Sequence, residues 1–148
     1  MSALETLSTA LHSCSAFISY SPIGDEPDIG EFLREIQLSK RGVSVLPTSD
    51  IDPHEVARIL SKEHAHEKVA LFIPGRVFDE TGTRHGRGGG WYDRLLSELP
   101  QEWIRVGVAR AHHMSREALL RQAWDEPVDF LIIKNEEWEV IETDARKR

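Results

Sequence analysis

Between Phe72 and Leu96 the chain reads FIPGRVFDETGTRHGRGGGWYDRLL. This stretch gathers Arg84, Arg87 and Arg94, glycines at 86, 88, 89 and 90, and Asp93. Closely spaced glycines remove Cβ atoms, so the backbone can turn sharply and bring its N–H groups near a ligand. Guanidinium groups make charge-assisted contacts with phosphate oxygens. A carboxylate just inside the following helix suits a divalent cation that shares those oxygens. A helix opening at Trp91 would add unsatisfied N–H groups and the positive end of its dipole. The chemistry suggested is phosphate binding. The string is neither a Walker A loop, since no Gly-Lys-Ser/Thr follows, nor the Rossmann fingerprint. A glycine-rich surface turn carrying a solvated arginine cluster accounts for the same spacing. Spacing alone leaves both readings open.

Other reactive residue types carry less. His64 and His66, and His112 and His113, are the close histidine pairs. A zinc site needs three or four converging ligands, and no His-Glu-x-x-His pattern occurs, so surface histidines are the expectation. His112-His113 follows a strand, which would place it at the ligand end of a sheet. Cys14 is the one cysteine and has no Lys or Arg near it in sequence, so a partly buried, inert thiol is expected. Trp103, Trp124 and Trp138 read as packing residues.

The elements that must position these residues alternate. Ser2 and Glu5 stand at capping-box spacing before a helix reaching Leu11. Ala16–Tyr20 reads as a strand. Asp28–Arg41 reads as a helix capped by Asp28 and Glu31 and stopped at Gly42. Val43–Leu46 is a strand, and Asp52-Pro53 opens a helix with Val56, Ile59 and Leu60 inward. Val69–Ile73 is a buried strand, Gly90–Leu99 a helix, and Ile104–Ala109 a strand. Ser115–Trp124 reads as a helix with Leu119 and Leu120 inward. Val128–Ile133 and Trp138–Ile141 close the series. Strands alternating with helices imply a three-layer α/β domain with a mostly parallel sheet. Such sheets bind ligands beyond the carboxyl ends of their strands, and the glycine-rich segment follows one.

Size and charge bound the reading. At 148 residues, with 40% hydrophobic and 29% charged side chains, one globular domain is expected over 1–141, with a polar tail at 142–148. A net charge of −7 argues against a general nucleic-acid binder. No apolar run approaches the ~18 residues of a membrane span, and no targeting segment is visible, so a cytoplasmic protein without a membrane partner is expected. The single cysteine excludes an intrachain disulfide.

The 72–96 string resembles the signature of the 5-formyltetrahydrofolate cyclo-ligase family. The matching residues are Pro74-Gly75, Phe78-Asp79, Gly82-Thr83-Arg84, Gly86, Gly88, Gly90 and Trp91-Tyr92-Asp93-Arg94. Two further stretches agree: YSPIGDEPD from Tyr20 to Asp28, and Trp124-Asp125-x-Pro127-Val128-Asp129. The resemblance implies a three-layer α/β fold and the ATP- and Mg²⁺-dependent conversion of 5-formyltetrahydrofolate to 5,10-methenyltetrahydrofolate, with ADP and phosphate released. It implies that Arg84 and Arg87 act on the transferred phosphoryl group. Arg84, Gly86, Arg87, Gly88, Gly89, Gly90, Trp91 and Tyr92 would hold the nucleotide. Glu26, Trp91 and Tyr92 would contact the folate, and Asp93 and Asp125 would hold magnesium.

The chain departs from the family pattern in places. The family's first helix carries a Lys and an Arg that reach the nucleotide phosphates, and Ser2–Leu11 has neither. The family's stretch between the strand ending near Pro47 and the strand at Val69 is longer. Ile29 replaces a usual Thr, and His85 a usual Leu. Two readings follow: a minimal cyclo-ligase whose missing cations come from Arg34, Lys40 or a second subunit, or a non-catalytic relative binding a nucleotide, another phosphate compound or a protein partner.

Overall fold

The computed structural model describes residues 1–86 and 88–147; Arg87 and Arg148 lie outside the described residues. Helix α1 (Ala3–His12) begins at a complete capping box. The Ser2 hydroxyl accepts from the Glu5 N–H, and Glu5 accepts from the Ser2 N–H in return. Strand β1 (Ala16–Ser19) leads through a loop to α2 (Gly30–Glu35), then β2 (Val43–Val45). Asp52 caps α3 (Pro53–Glu63), whose proline stands in the first turn. Strand β3 (Val69–Ile73) is buried along its whole length. A hairpin of two-residue strands follows, β4 (Val77–Phe78) and β5 (Arg84–His85), and then α4 (Trp91–Ser97). Strands β6 (Ile104–Arg110), β7 (Phe130–Lys134) and β8 (Trp138–Glu142) and a short α5 (Asp144–Lys147) complete the chain.

The main sheet has six strands in the order β2-β1-β3-β6-β7-β8. Every pairing is parallel except β7 with β8. Side-chain alternation along β3 divides the core. Val69, Leu71 and Ile73 face one layer, with Val56, Leu60, Trp91 and Leu95 from α3 and α4. Ala70 and Phe72 face the other, with Leu7, Leu11, Phe32 and Leu33 from α1 and α2. This is the three-layer, mostly parallel α/β architecture the alternation implies. After β1 the chain moves to one side of the sheet, and after β3 to the other. The carboxyl ends of β1 and β3 therefore flank the topological switch point, where an open α/β sheet leaves a crevice.

Four sequence readings differ from the structure. Residues 115–124 form no helix, and Leu120 and Trp124 stand in solvent instead of packing. Backbone N–H groups in and beside this segment are taken by carboxylates of other segments, Leu119 by Asp79 and Glu126 by Asp93. The helix expected over 28–41 ends at Glu35. Gln37 adopts φ +64°, and the Leu38 N–H turns back to the Leu33 carbonyl, closing a Schellman-type cap. Ile59 of α3 is exposed rather than inward. The boundary drawn at 141 falls inside β8; beyond it Thr143 is buried and its hydroxyl donates to the Val128 carbonyl.

Candidate active site

A cavity of about 620 Å³ occupies the switch-point crevice. Its walls come from the ends of three parallel strands: Tyr20 after β1, Pro47 after β2 and Pro74-Gly75 after β3. Glu26, Arg84, Gly86, Gly88, Gly90, Tyr92, Asp93 and Asp125 all line it. Parallel pairing delivers these strand ends to one edge. The β4–β5 hairpin then folds over that edge, with Arg84 at its inner end.

Arg84 is 7% exposed. Its Nε donates to the Pro74 carbonyl at 2.5 Å, and its guanidinium carbon lies 4.7 Å from the Tyr92 ring centroid. A Cβ on Gly86 would stand 2.8 Å from an Arg84 terminal nitrogen, so glycine there gives the guanidinium its room. Burial pulls the Arg84 pKa below the usual guanidinium range, opposed by the negative charges of Asp93, Glu26 and Asp125. Those groups share one electrostatic neighbourhood with a cation at its centre. The Tyr92 hydroxyl is pushed up to about 12 by burial, with Arg84 working the other way and Glu26 adding to the rise.

Gly88, Gly89 and Gly90 have φ of +102°, +75° and +65°, and nothing lies within 4 Å of where their Cβ atoms would stand. Three successive left-handed residues suit glycine alone. They leave an open backbone cradle at the start of α4. Gly88 and Gly90 line the cavity, whereas Gly89 is exposed beside them.

Asp93 is half-buried in the first turn of α4 and accepts from the Glu126 N–H at 3.0 Å. Asp125 accepts from the Gln122 N–H at 2.8 Å. Burial raises the Asp93 pKa; the Glu126 N–H and Arg84 lower it, and Asp125 and Glu126 raise it further. Asp93 and Asp125 line the same cavity as Gly88 and Gly90, and carboxylate oxygens are the donor type magnesium takes. The residues present fit that ion.

Glu26 enters from the loop after β1. Its Oε1 accepts from the Ile23 N–H at 2.9 Å, folding the loop into a turn with its carboxylate at the cavity wall. Tyr20 donates to the Pro27 carbonyl and closes the base of that loop. Trp91 also lines the cavity but is mostly turned into the core, its indole N–H donating to the Ile51 carbonyl at 2.8 Å.

Arg87, expected at the phosphates, lies outside the described residues. Arg94 is exposed on α4 and lines no part of the cavity. Arg34 and Lys40, the two side chains expected to replace the first-helix cations, do not line it either. Arg34 belongs to a separate cavity of about 240 Å³ with Arg110 and Lys134. Ile23, Leu120 and Trp124 line the main cavity without having been singled out as ligand contacts. The available signal was that they stand in loops following the β1 and β6 ends. His112 and His113 meet Asp25, at 2.8 and 3.7 Å from their Nε2 atoms. The His113 Nδ1 accepts from the Arg110 N–H, so in the neutral ring the proton sits on Nε2, the atom a metal would need. The Cys14 thiol is buried and its pKa raised by that burial, as an inert thiol requires.

A crevice at the switch point of a mostly parallel sheet, lined by glycines, a buried arginine and two carboxylates, defines the class: a three-layer α/β domain with a polar cavity at the carboxyl ends of its strands. The particular family follows from comparison. The chain belongs to the 5-formyltetrahydrofolate cyclo-ligase family, whose model matches residues 51–134, more than half of it. The 5-formyltetrahydrofolate cyclo-ligases of Escherichia coli strains K12 and O157:H7 are each 37% identical to it over 70 residues. Those 70 residues are 47% of this chain, and the chain spans only 38% of the length of these curated relatives. Among solved structures, a 5,10-methenyltetrahydrofolate synthetase from Mycoplasma pneumoniae aligns with TM-score 0.57 and 22% identity, over 91% of this chain and 83% of that one. The Aquifex aeolicus 5,10-methenyltetrahydrofolate synthetase aligns with TM-score 0.56 and 24% identity, over 96% and 84%. At these identities the likeness is one of fold. Glu26 lies outside the family match, so its role rests on the Tyr20–Asp28 string.

Proposed function

We propose that this chain is a cyclo-ligase that uses ATP to close 5-formyltetrahydrofolate to 5,10-methenyltetrahydrofolate. The observation that carries the reading is the convergence of Glu26, Arg84, the glycine cradle, Asp93 and Asp125 on one switch-point cavity. In this reaction the formyl oxygen bonds to the γ-phosphorus and ADP leaves. N10 then bonds to the activated carbon, the carbon–oxygen bond breaks, and phosphate departs. Phosphoryl transfer asks the protein mainly for positioning and charge stabilisation.

This chain's residues divide that work. The 88–90 backbone receives phosphate oxygens. Arg84, fixed by Pro74 and Tyr92, holds a positive charge where negative charge accumulates, and its burial strengthens that charge's pull. Arg87, outside the described residues, is assigned as the second phosphoryl-contacting cation on the family resemblance alone. Asp93 and Asp125 would hold magnesium, which when bound neutralises phosphate charge. Glu26 holds the folate, and Tyr92 with Trp91 forms the aromatic floor. Folate and ATP are thus the small-molecule partners, and no nucleic acid is one. Among the described residues no helix is long and apolar enough to cross a membrane; the cytoplasm is the compartment proposed.

One observation favours the second reading, a relative that binds a phosphate ligand without turnover. Helix α1 carries no Lys or Arg, and Arg84 is the one Lys or Arg among the described lining residues. The deciding experiment mixes the protein with 5-formyltetrahydrofolate, ATP and Mg²⁺ and follows methenyltetrahydrofolate absorbance, with Asp93→Asn as control. Turnover lost in the variant is the expected result. No turnover at high enzyme concentration overturns it, and retained ATP binding in the same samples would then establish the second reading.

A further inference from the structure

Residues 115–127 join β6 to β7 without a helix, yet they are tied down along their length. The Leu119 N–H donates to Asp79 at 2.5 Å. The Arg121 guanidinium donates to the Thr83 hydroxyl at 2.9 Å and the Thr81 carbonyl at 3.1 Å. The Gln122 N–H is held by Asp125 and the Glu126 N–H by Asp93. This tethered segment presents two large apolar side chains to water at the cavity, Leu120 at 72% and Trp124 at 69% exposure.

The other tryptophans do not behave this way. Trp91 and Trp103 are buried, and Trp138 packs edge-on against Phe32 at 5.5 Å between centroids. Burying an indole is among the larger hydrophobic gains available to a chain. The 115–127 segment forgoes that gain at Trp124 while three of its backbone N–H groups and the Arg121 side chain are held by carboxylates, a hydroxyl and a carbonyl. An exposed apolar wall on a fixed backbone, facing a cavity, marks a ligand contact.

We propose that Trp124 is the ring-binding wall of this cavity, stacking its indole face on a planar nitrogen heterocycle of the ligand, with Leu120 on the same wall and Ile23 on the loop after β1. The assignment rests on the function proposed above. Two rings there share this chemistry, the adenine of the nucleotide and the planar pyrimidinone half of the reduced folate's bicycle. Trp124 directly precedes Asp125, so the stacked ring is held one residue from a candidate magnesium carboxylate. From the 48–68 stretch only Thr48 and Ser49 line the cavity among the described residues, and neither offers a ring.

The test uses the full chain labelled with 5-fluorotryptophan, its Trp124 ¹⁹F resonance assigned by loss in Trp124→Phe. Three probes are titrated with Mg²⁺: inorganic tripolyphosphate, a non-hydrolysable ATP analogue and 5-formyltetrahydrofolate. The Trp124 resonance is expected to move with a ring-bearing ligand and not with tripolyphosphate. Calorimetric affinity for that ligand should fall about five- to tenfold in Trp124→Ala and return in Trp124→Phe. Movement with the ATP analogue identifies adenine as the ring, and movement with the folate identifies the bicycle. Binding by calorimetry with a stationary Trp124 resonance, or equal affinities in wild type and Trp124→Ala, overturns the proposal and leaves the proposed function standing. Absence of binding by every probe overturns both.

Discussion

At the residue scale, Asp93 stands where binding and stability pull apart. Burial and the neighbouring carboxylates Asp125 and Glu126 raise its folded pKa above the unfolded value, despite Arg84 and the Glu126 N–H. The fold therefore favours its protonated form. Its ionised form lowers stability as pH rises through the raised pKa, and the penalty is absent below the unfolded pKa of about 3.9. Asn at 93 keeps an oxygen for the Glu126 N–H and carries no charge. Asp93→Asn should therefore unfold at the same or a higher urea concentration than wild type at pH 8, with the difference vanishing near pH 4. Isothermal titration should show its Mg²⁺-dependent nucleotide binding abolished. A second prediction concerns Arg84, which lowers the Asp93 pKa. Arg84→Met removes that opposition, so the pH at which Mg²⁺ binding is half-maximal should shift upward. Titrations of the ion between pH 5 and 8 check it, and an unchanged or lowered midpoint contradicts the coupling. Both residues were legible in sequence because glycine spacing and charge announce themselves. That Arg84 lies buried under Tyr92 was not, since burial of a charge depends on a hairpin folded over it.

At the element scale, the hairpin and the 115–127 segment hang on one carboxylate. Asp79 is 2% exposed and accepts from the N–H groups of Thr81, Thr83 and Leu119 and from the Thr81 hydroxyl. Burial alone would raise its pKa, but those donors outweigh burial and hold it below the ordinary carboxylate value. Its contribution is fully present above the unfolded pKa and lost as pH falls through the folded one. Asp79→Ala strands three N–H groups at about 1–3 kcal/mol each where they stay buried, so a loss of about 3 kcal/mol or more is expected from urea unfolding at pH 7. The deficit against wild type should shrink in acid below pH 4. Hydrogen exchange should quicken at Leu119, forty residues away in sequence. The same hub explains what the sequence hid. Leu119 and Leu120 stand in a pattern that reads as a helix, but tertiary acceptors claim the segment's backbone instead. Strands of two residues show no alternation to detect. Helix α2 ends at Glu35 and turns back at left-handed Gln37, a residue type that signals no stop, whereas the capped starts of α1 and α3 were plain from Ser2-x-x-Glu5 and Asp52-Pro53.

At the scale of the whole molecule, parallel order predicts where a ligand acts on stability. The cavity is walled by loops from β1, β2 and β3, by the hairpin and by the 115–127 segment, all at one edge of the sheet. Nothing from α1 closes over it, and Arg84 is the one Lys or Arg among its described lining residues. A ligand bound there ties together segments that the core leaves to local hydrogen bonds, whereas the opposite edge of the sheet gains nothing. Binding to the folded form alone stabilises by about 2.7 kcal/mol at a ligand concentration a hundredfold above Kd. For a domain of this size that is a rise in Tm of about 5–10 °C. ATP with Mg²⁺ should produce it in wild type. ATP with a chelator should give a much smaller rise, and Asp93→Asn should give none with Mg²⁺. Differential scanning calorimetry measures each case. Hydrogen exchange in the presence of MgATP locates the effect: protection should grow at Ile23–Glu26, Arg84–Gly90 and Leu120–Asp125, and stay flat along α1 and β8. An equal rise in wild type and Asp93→Asn would place the nucleotide elsewhere on the molecule. Protection spread evenly over the sheet would show global stabilisation without a localised closing of the switch-point edge.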